Sequence, residues 1–223
     1  MSTATLAFLR HAKVPSHHGD MPLTEDSNAD IEAAVPRLKA LAKPGDIWRF
    51  LATETHRSRQ TAEALRSAID PSTPEVMPAW GLRNPDIHLA GSRVEMGSLP
   101  EFFASQCQFY EMAPEDVLAQ SFFSGFLNAP DRIEYWVHHE TPPGEDAAAV
   151  ARRIVKFAES FLAVPGDDHH VVVCVTHSPV MRAILTKAMG MTDPGEPNWV
   201  EEIIFDVTQD GIAYRFRDHS GTI

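Results

Sequence analysis

Residues 170–179 read HVVVCVTHSP. The run from Val171 to Val175 is wholly apolar and rich in β-branched side chains, and polar residues bound it on both sides. This predicts a strand. An apolar run without alternation belongs to a strand covered on both faces, the central position of a parallel sheet. A segment of helical character, about 179–189, follows without a linker.

The same succession recurs outward from this stretch. TLAFL at 5–9 predicts a buried strand, and 26–41 a helix, with Ile31, Ala34, Val35, Leu38 and Leu41 at helical spacing. Asp and Glu come early in that helix, Lys comes late, and Pro44-Gly45 closes it. DIWRFLAT at 46–53 predicts a second strand, about 57–68 a helix, and PEVMPAW at 74–80 a third strand. A helix over 145–162 precedes Pro165-Gly166, and IIFDVTQDGIAYRFR at 203–217 reads as a hairpin around Asp210-Gly211. Alternating strands and helices predict a three-layer α/β/α sandwich with a mostly parallel central sheet. Residues 100–137 differ in character: nine aromatics, with Pro114 and Pro130 between them, predict two or three short helices. They are expected to form a helical cap or lid insertion within one domain spanning 1–223.

The chain has 223 residues, 43% hydrophobic and 22% charged, a composition ordinary for a globular protein. Its net charge of −12 repels nucleic acid and anionic membrane at long range, so neither is an expected partner. No basic leader precedes an apolar stretch, and no run approaches the ~18 apolar residues of a membrane span; a cytoplasmic location is expected. Two cysteines, Cys107 and Cys174, signal neither CxxC chemistry nor a disulfide framework. The eleven histidines include the pairs His17-His18, His138-His139 and His169-His170, without HExxH or Cys/His ligand spacing. No metal and no organic cofactor is expected.

Three strands end in polar, mostly cationic residues: Arg10-His11 after the first, Arg57 shortly after the second, and His177 after HVVVCVT. In open α/β sheets the carboxyl ends of the strands face one crevice, so these four side chains are expected to converge. Two arginines and two histidines in one cleft make an anion trap, with guanidinium forks suited to phosphate oxygens.

FLRHA at 8–12 resembles the LRHG/LRHA signature of the histidine phosphatase (phosphoglycerate-mutase-like) superfamily. TETHRSRQTAEAL at 53–65 resembles its second segment, and VTHSPVMRAIL at 175–185 its second-histidine segment, with His177 and Arg182 in register. PLTE at 22–25 and PPGEDAAAVARRIVKF at 142–157 are weaker likenesses in the same order. The resemblance implies a phosphatase without a metal, acting on a small phosphomonoester. His11 would attack phosphorus and become a phosphohistidine. Arg10, Arg57 and a protonated His177 would bind the transferring oxygens, and water would release phosphate.

The chain departs from the family pattern at WGLRNPDIHL, 80–89, where Asn84 stands in place of the usual proton-donating Glu. An amide has no proton to give. Asp86 is the nearest carboxyl and the expected general acid, with Glu95 and Glu54 as remoter candidates. His17, in the place of a phosphate-contacting Asn of mutase-like members, is a further candidate phosphate ligand. The apolar cap favours a hydrophobic or aromatic organic phosphate. The alternative functions are a phosphoglycerate-mutase-like phosphotransferase, a protein phosphohistidine phosphatase, and a phospho-ligand binding module without turnover.

Overall fold

The computed structural model describes residues 3–17, 19–97 and 99–223; of the paired histidines, His18 lies outside them. The strands are β1 (Thr3–Arg10), β2 (Ile47–Ala52), β3 (Met77–Pro78), β4 (Ile87–Leu89), β5 (Ser92–Val94), β6 (His169–Thr176), β7 (Glu202–Thr208), β8 (Gly211–Phe216) and β9 (His219–Thr222). The helices are α1 (Ser27–Lys39), α2 (His56–Ile69), α3 (Pro100–Gln106), α4 (Pro114–Leu118), α5 (Ser121–Asn128), α6 (Arg132–His138), α7 (Ala147–Glu159) and α8 (Ser178–Ala183).

Seven strands form one sheet in the order β3-β2-β6-β1-β7-β8-β9, flanked by helices. The first four run parallel, and β7, β8 and β9 add antiparallel neighbours. The apolar run of β6 lies between β1 and β2, as its lack of alternation requires. Successive residues of these strands serve opposite layers. Leu6, Phe8, Val172 and Cys174 pack into one core with α7, α8 and the 100–137 segment, while Ala7, Leu9, Val173 and Val175 face α1 and α2.

Three sequence expectations change. The third strand shrinks from 74–80 to Met77–Pro78, since Pro74 and Pro78 have no N–H to give a ladder. A small antiparallel hairpin, β4–β5, follows it, turning through Ala90 and Gly91, both at positive φ. The 100–137 segment forms four short helices rather than two or three. Its rings at Phe103, Phe122, Phe123, Phe126 and Trp136 merge with the sheet's own core, whereas Phe109 and Tyr110 are exposed. The C-terminal hairpin is found as expected and gains the extra strand β9.

Among the described residues, no helix is long and apolar enough to cross a membrane.

Candidate active site

The ends of β1, β2 and β6 meet at a cavity of about 170 Å³ bearing Arg10, His11, Arg57 and His177. All four side chains are buried. Backbone ties bring them there: the His11 N–H donates to the Thr176 carbonyl at 3.0 Å, joining the ends of β1 and β6. The Ala12 N–H donates to Thr61 Oγ1 at 2.9 Å, and that hydroxyl donates to the Arg57 carbonyl at 2.7 Å, joining the β1 end to α2.

His11 lies 2.8 Å through Nδ1 from the Ala12 carbonyl, which can only accept. Nδ1 therefore carries the proton and Nε2 the lone pair. Burial, with Arg57, Arg10 and His17 adding repulsion, overcomes the opposing Ala12 hydrogen bond and lowers the His11 pKa to about 3. The ring is unprotonated at neutral pH. His177, 5.3 Å away between ring centroids, approaches Thr53 Oγ1 through Nε2 at 3.1 Å. Thr53, Thr55 and Ser58 form a buried hydroxyl cluster behind it. Burial and the neighbouring Arg57 push the His177 pKa well below its usual value, so the expectation of a protonated His177 is corrected: the ring is neutral.

Arg10 Nη1 donates to the Pro197 carbonyl at 2.7 Å, Nη2 pairs with Glu196 at 2.6 Å, and the guanidinium carbon stands 3.6 Å over the Trp199 ring. Trp199 in turn stacks on His17, centroids 5.9 Å apart. Val200, at φ 54° and fully buried, is a strained turn that turns Trp199 under Arg10, and its N–H donates to the Arg10 carbonyl. Among the described residues, Arg57 makes long contacts to the Gly19 carbonyl at 3.5 Å and to Asp20 at 3.4 Å. Burial lowers the pKa of both arginines, with Glu196 and Asp20 opposing; both remain cations.

Five buried side-chain polar atoms of the described residues lack a partner, and four belong to this cavity: Arg10 Nε, Arg57 Nε, His177 Nδ1 and Asn84 Oδ1. Unsatisfied buried groups cost about 1–3 kcal/mol each, so their concentration in one place marks a ligand site.

Asn84 is on the cavity wall, held there by Thr176 Oγ1 donating to the Leu82 carbonyl at 2.6 Å. Asp86 is not. It is clasped by Arg83 at 2.5 Å and Arg93 at 2.6 Å; burial would raise its pKa, but these two hydrogen bonds hold it at about 2. A carboxylate so held has no proton to donate near neutral pH, and the expectation that placed it in the site does not fit its position. The segment around Gly144 buttresses this loop. A Cβ on Gly144 would sit 1.9 Å from the Asp86 carbonyl, and Glu145 is bonded to both Asp86 and Arg153. Glu95 does line the cavity, beside Met96, Ile133 and Glu196. His17 lines it as well. Glu54, the other remote candidate, lies 4.0 Å from Arg93 and is not part of the wall. The cap's aromatic rings do not reach the cavity; its contribution there is Ile133.

Sequence reasoning missed Glu196, Trp199, Thr53 and Thr61. Among the described residues, no group of three or more His, Cys, Asp or Glu side chains is placed to hold a metal ion.

Residues 120–200, from α5 through His177 to Val200, match the model of the histidine phosphatase superfamily (branch 1). No curated protein matches the chain by sequence. Solved structures match over nearly the whole length. YhfR of Bacillus stearothermophilus is 16% identical with a TM-score of 0.56, covering 98% of this chain and 96% of its own. A mycobacterial glucosyl-3-phosphoglycerate phosphatase is 15% identical with a TM-score of 0.58, covering 98% and 97%. A phosphoserine phosphatase of Entamoeba histolytica is 12% identical with a TM-score of 0.51, covering 98% and 94%. At these identities the likeness is one of fold. The family model thus covers the segment that carries His177, and the solved structures share the fold of the whole chain.

Proposed function

We propose that the protein is a phosphatase for a small phosphomonoester, working through a phosphohistidine on His11 without a metal. The observation that carries this reading is the convergence of three unpartnered buried nitrogens, Arg10 Nε, Arg57 Nε and His177 Nδ1, beside a histidine locked into its nucleophilic tautomer.

In the first step His11 Nε2 attacks phosphorus and the P–O bond to the alcohol breaks. Arg10 and Arg57 stabilise charge on the phosphoryl oxygens. With the Thr53 hydroxyl donating to Nε2, the neutral His177 ring donates Nδ1–H to a third oxygen. We assign the proton donor to Glu95, the carboxyl of the cavity wall that is not engaged by Arg10. Glu95 in its acid form protonates the departing alkoxide. It then removes a proton from water as water attacks phosphorus, the P–N bond breaks, and His11 is regenerated. His17, on the wall and stacked on Trp199, would assist at the phosphoryl group.

The test is phosphate release from a panel of aryl, alkyl and sugar phosphates in EDTA, with His11→Ala as control. Release that falls at least about 1,000-fold in the variant is expected. Undiminished release by His11→Ala, or release abolished by EDTA, overturns the reading. Phosphate binding with no release from any compound would favour the non-catalytic alternative.

A further inference from the structure

One loop fastens the guanidinium of Arg10. Residues 196–199 meet it from three directions: the Glu196 carboxylate takes Nη2 at 2.6 Å, the Pro197 carbonyl accepts from Nη1 at 2.7 Å, and the Trp199 ring lies 3.6 Å from the guanidinium carbon. The Arg10 backbone is tied to the same segment, its N–H donating to the Glu201 carbonyl at 3.3 Å and its carbonyl accepting from Val200 at 3.1 Å. Nε is buried and has no partner. A guanidinium holds its five N–H groups in one rigid plane, so fixing the Nη groups and one face also fixes where Nε points.

Glu196 has a second attachment. Its other oxygen accepts from Ser178 Oγ at 2.6 Å, and Ser178 directly follows His177. One carboxylate therefore bridges the end of β1 to the start of α8, joining a cation of the cavity to the backbone that carries one of its histidines. The loop that presents it is anchored at both ends. Asp193 is paired with the fully buried Arg182 of α8 and accepts from the Gly195 N–H at 3.1 Å, and Glu201 takes Arg217 at 2.7 Å.

From this geometry we infer that Glu196 is a positioning residue: it acts through Arg10, setting the guanidinium so that Nε meets a phosphoryl oxygen beside His11. The inference rests on the phosphatase reading above and adds to it a residue that works without binding the phosphoryl group itself. A carboxylate beside an anion site repels the ligand, so Glu196 does not contribute ground-state affinity. What it contributes is alignment, which counts most in the transition state, where charge on the phosphoryl oxygens is redistributed. A group that only held the fold together would affect ground-state and transition-state binding alike.

The experiment measures turnover of an aryl phosphate, with inorganic phosphate and vanadate as competitive inhibitors, vanadate serving as a mimic of five-coordinate phosphorus in the transition state. Glu196→Ala should lower kcat about tenfold to thirtyfold and weaken vanadate by a similar factor, while inhibition by phosphate stays within about threefold of the parent. Glu196→Gln, whose amide can accept from Arg10 and donate to Ser178, should recover most of that loss. In an Arg10→Ala background, Glu196→Ala should cost less than about threefold, because the group it sets is gone. An unchanged kcat in Glu196→Ala, an equal loss with Arg10 absent, a parallel loss of phosphate and vanadate affinity, or no recovery in Glu196→Gln would overturn the positioning role. The phosphatase reading would still stand as long as the parent hydrolyses the ester through His11. No His11-dependent release from the aryl ester would overturn both.

Discussion

The wall of the cavity that grows from strand ends and the wall that grows from loops obey different physics. Arg10, His11, Arg57 and His177 are between 2% and 6% exposed and hang on backbone ladders. Glu196, on a loop, leaves 46% of its side chain exposed and is held by side-chain pairs alone. The first wall gathers donors and leaves several unpaired, and on the proposed reading it holds the phosphoryl group. The second gathers acceptors and hydrocarbon, and on the proposed reading it meets the alcohol. If that reading holds, chemistry and selectivity are separable here, because the sheet carries one and loops carry the other.

That separation can be broken by measurement. Arg57→Ala should lower kcat/KM by about 10²–10³ on aryl and alkyl esters alike, since it removes stabilisation of the shared phosphoryl group. A loss confined to one leaving group would show that the strand wall also selects. Glu95→Gln should cost about 10²-fold on propyl phosphate and only a few-fold on an aryl phosphate, whose leaving group hardly needs a proton. Equal losses on both would remove Glu95 from the acid role.

A smaller effect concerns pH. The folded His11 pKa of about 3 lies below its ordinary value near 6.5, so the unfolded chain takes up the proton first. This contribution to stability is complete above about pH 6.5 and is lost as pH falls toward 3, at up to about 1.4 kcal/mol per pH unit. Urea unfolding at pH 7 and pH 5 should show the loss, and His11→Asn should reduce it. For the same reason, aryl phosphate hydrolysis should show no loss near pH 6.5 from protonation of His11. The smallest effect is expected at Asp86. Since it faces Arg83 and Arg93 outside the cavity, Asp86→Asn should leave the aryl-to-alkyl ratio within about threefold of the parent.

The anion end of the site was legible because each of its residues closes a strand or opens the helix after it. A reader who finds the apolar runs of β1, β2 and β6 finds their ends, and parallel topology brings those ends to one edge. Asn84 was legible too, as the position where an expected carboxyl is missing. Asp86 was chosen for nearness along the chain to Asn84. Arg83 and, across the β4–β5 hairpin, Arg93 claimed it instead. The aromatic run of 100–137 read as a lid, but its rings pack inward against the core and only Ile133 reaches the cavity.

The sequence alone determined the sheet's central strands and the meeting of Arg10, His11, Arg57 and His177 at their ends, since these follow from local periodicity and parallel topology. Tertiary structure alone decided the neutrality of His177, the exclusion of Asp86, and the approach of Glu95 and Glu196. Each of these depends on distances between segments far apart in the chain, and burial and Coulomb energies change steeply with such distances.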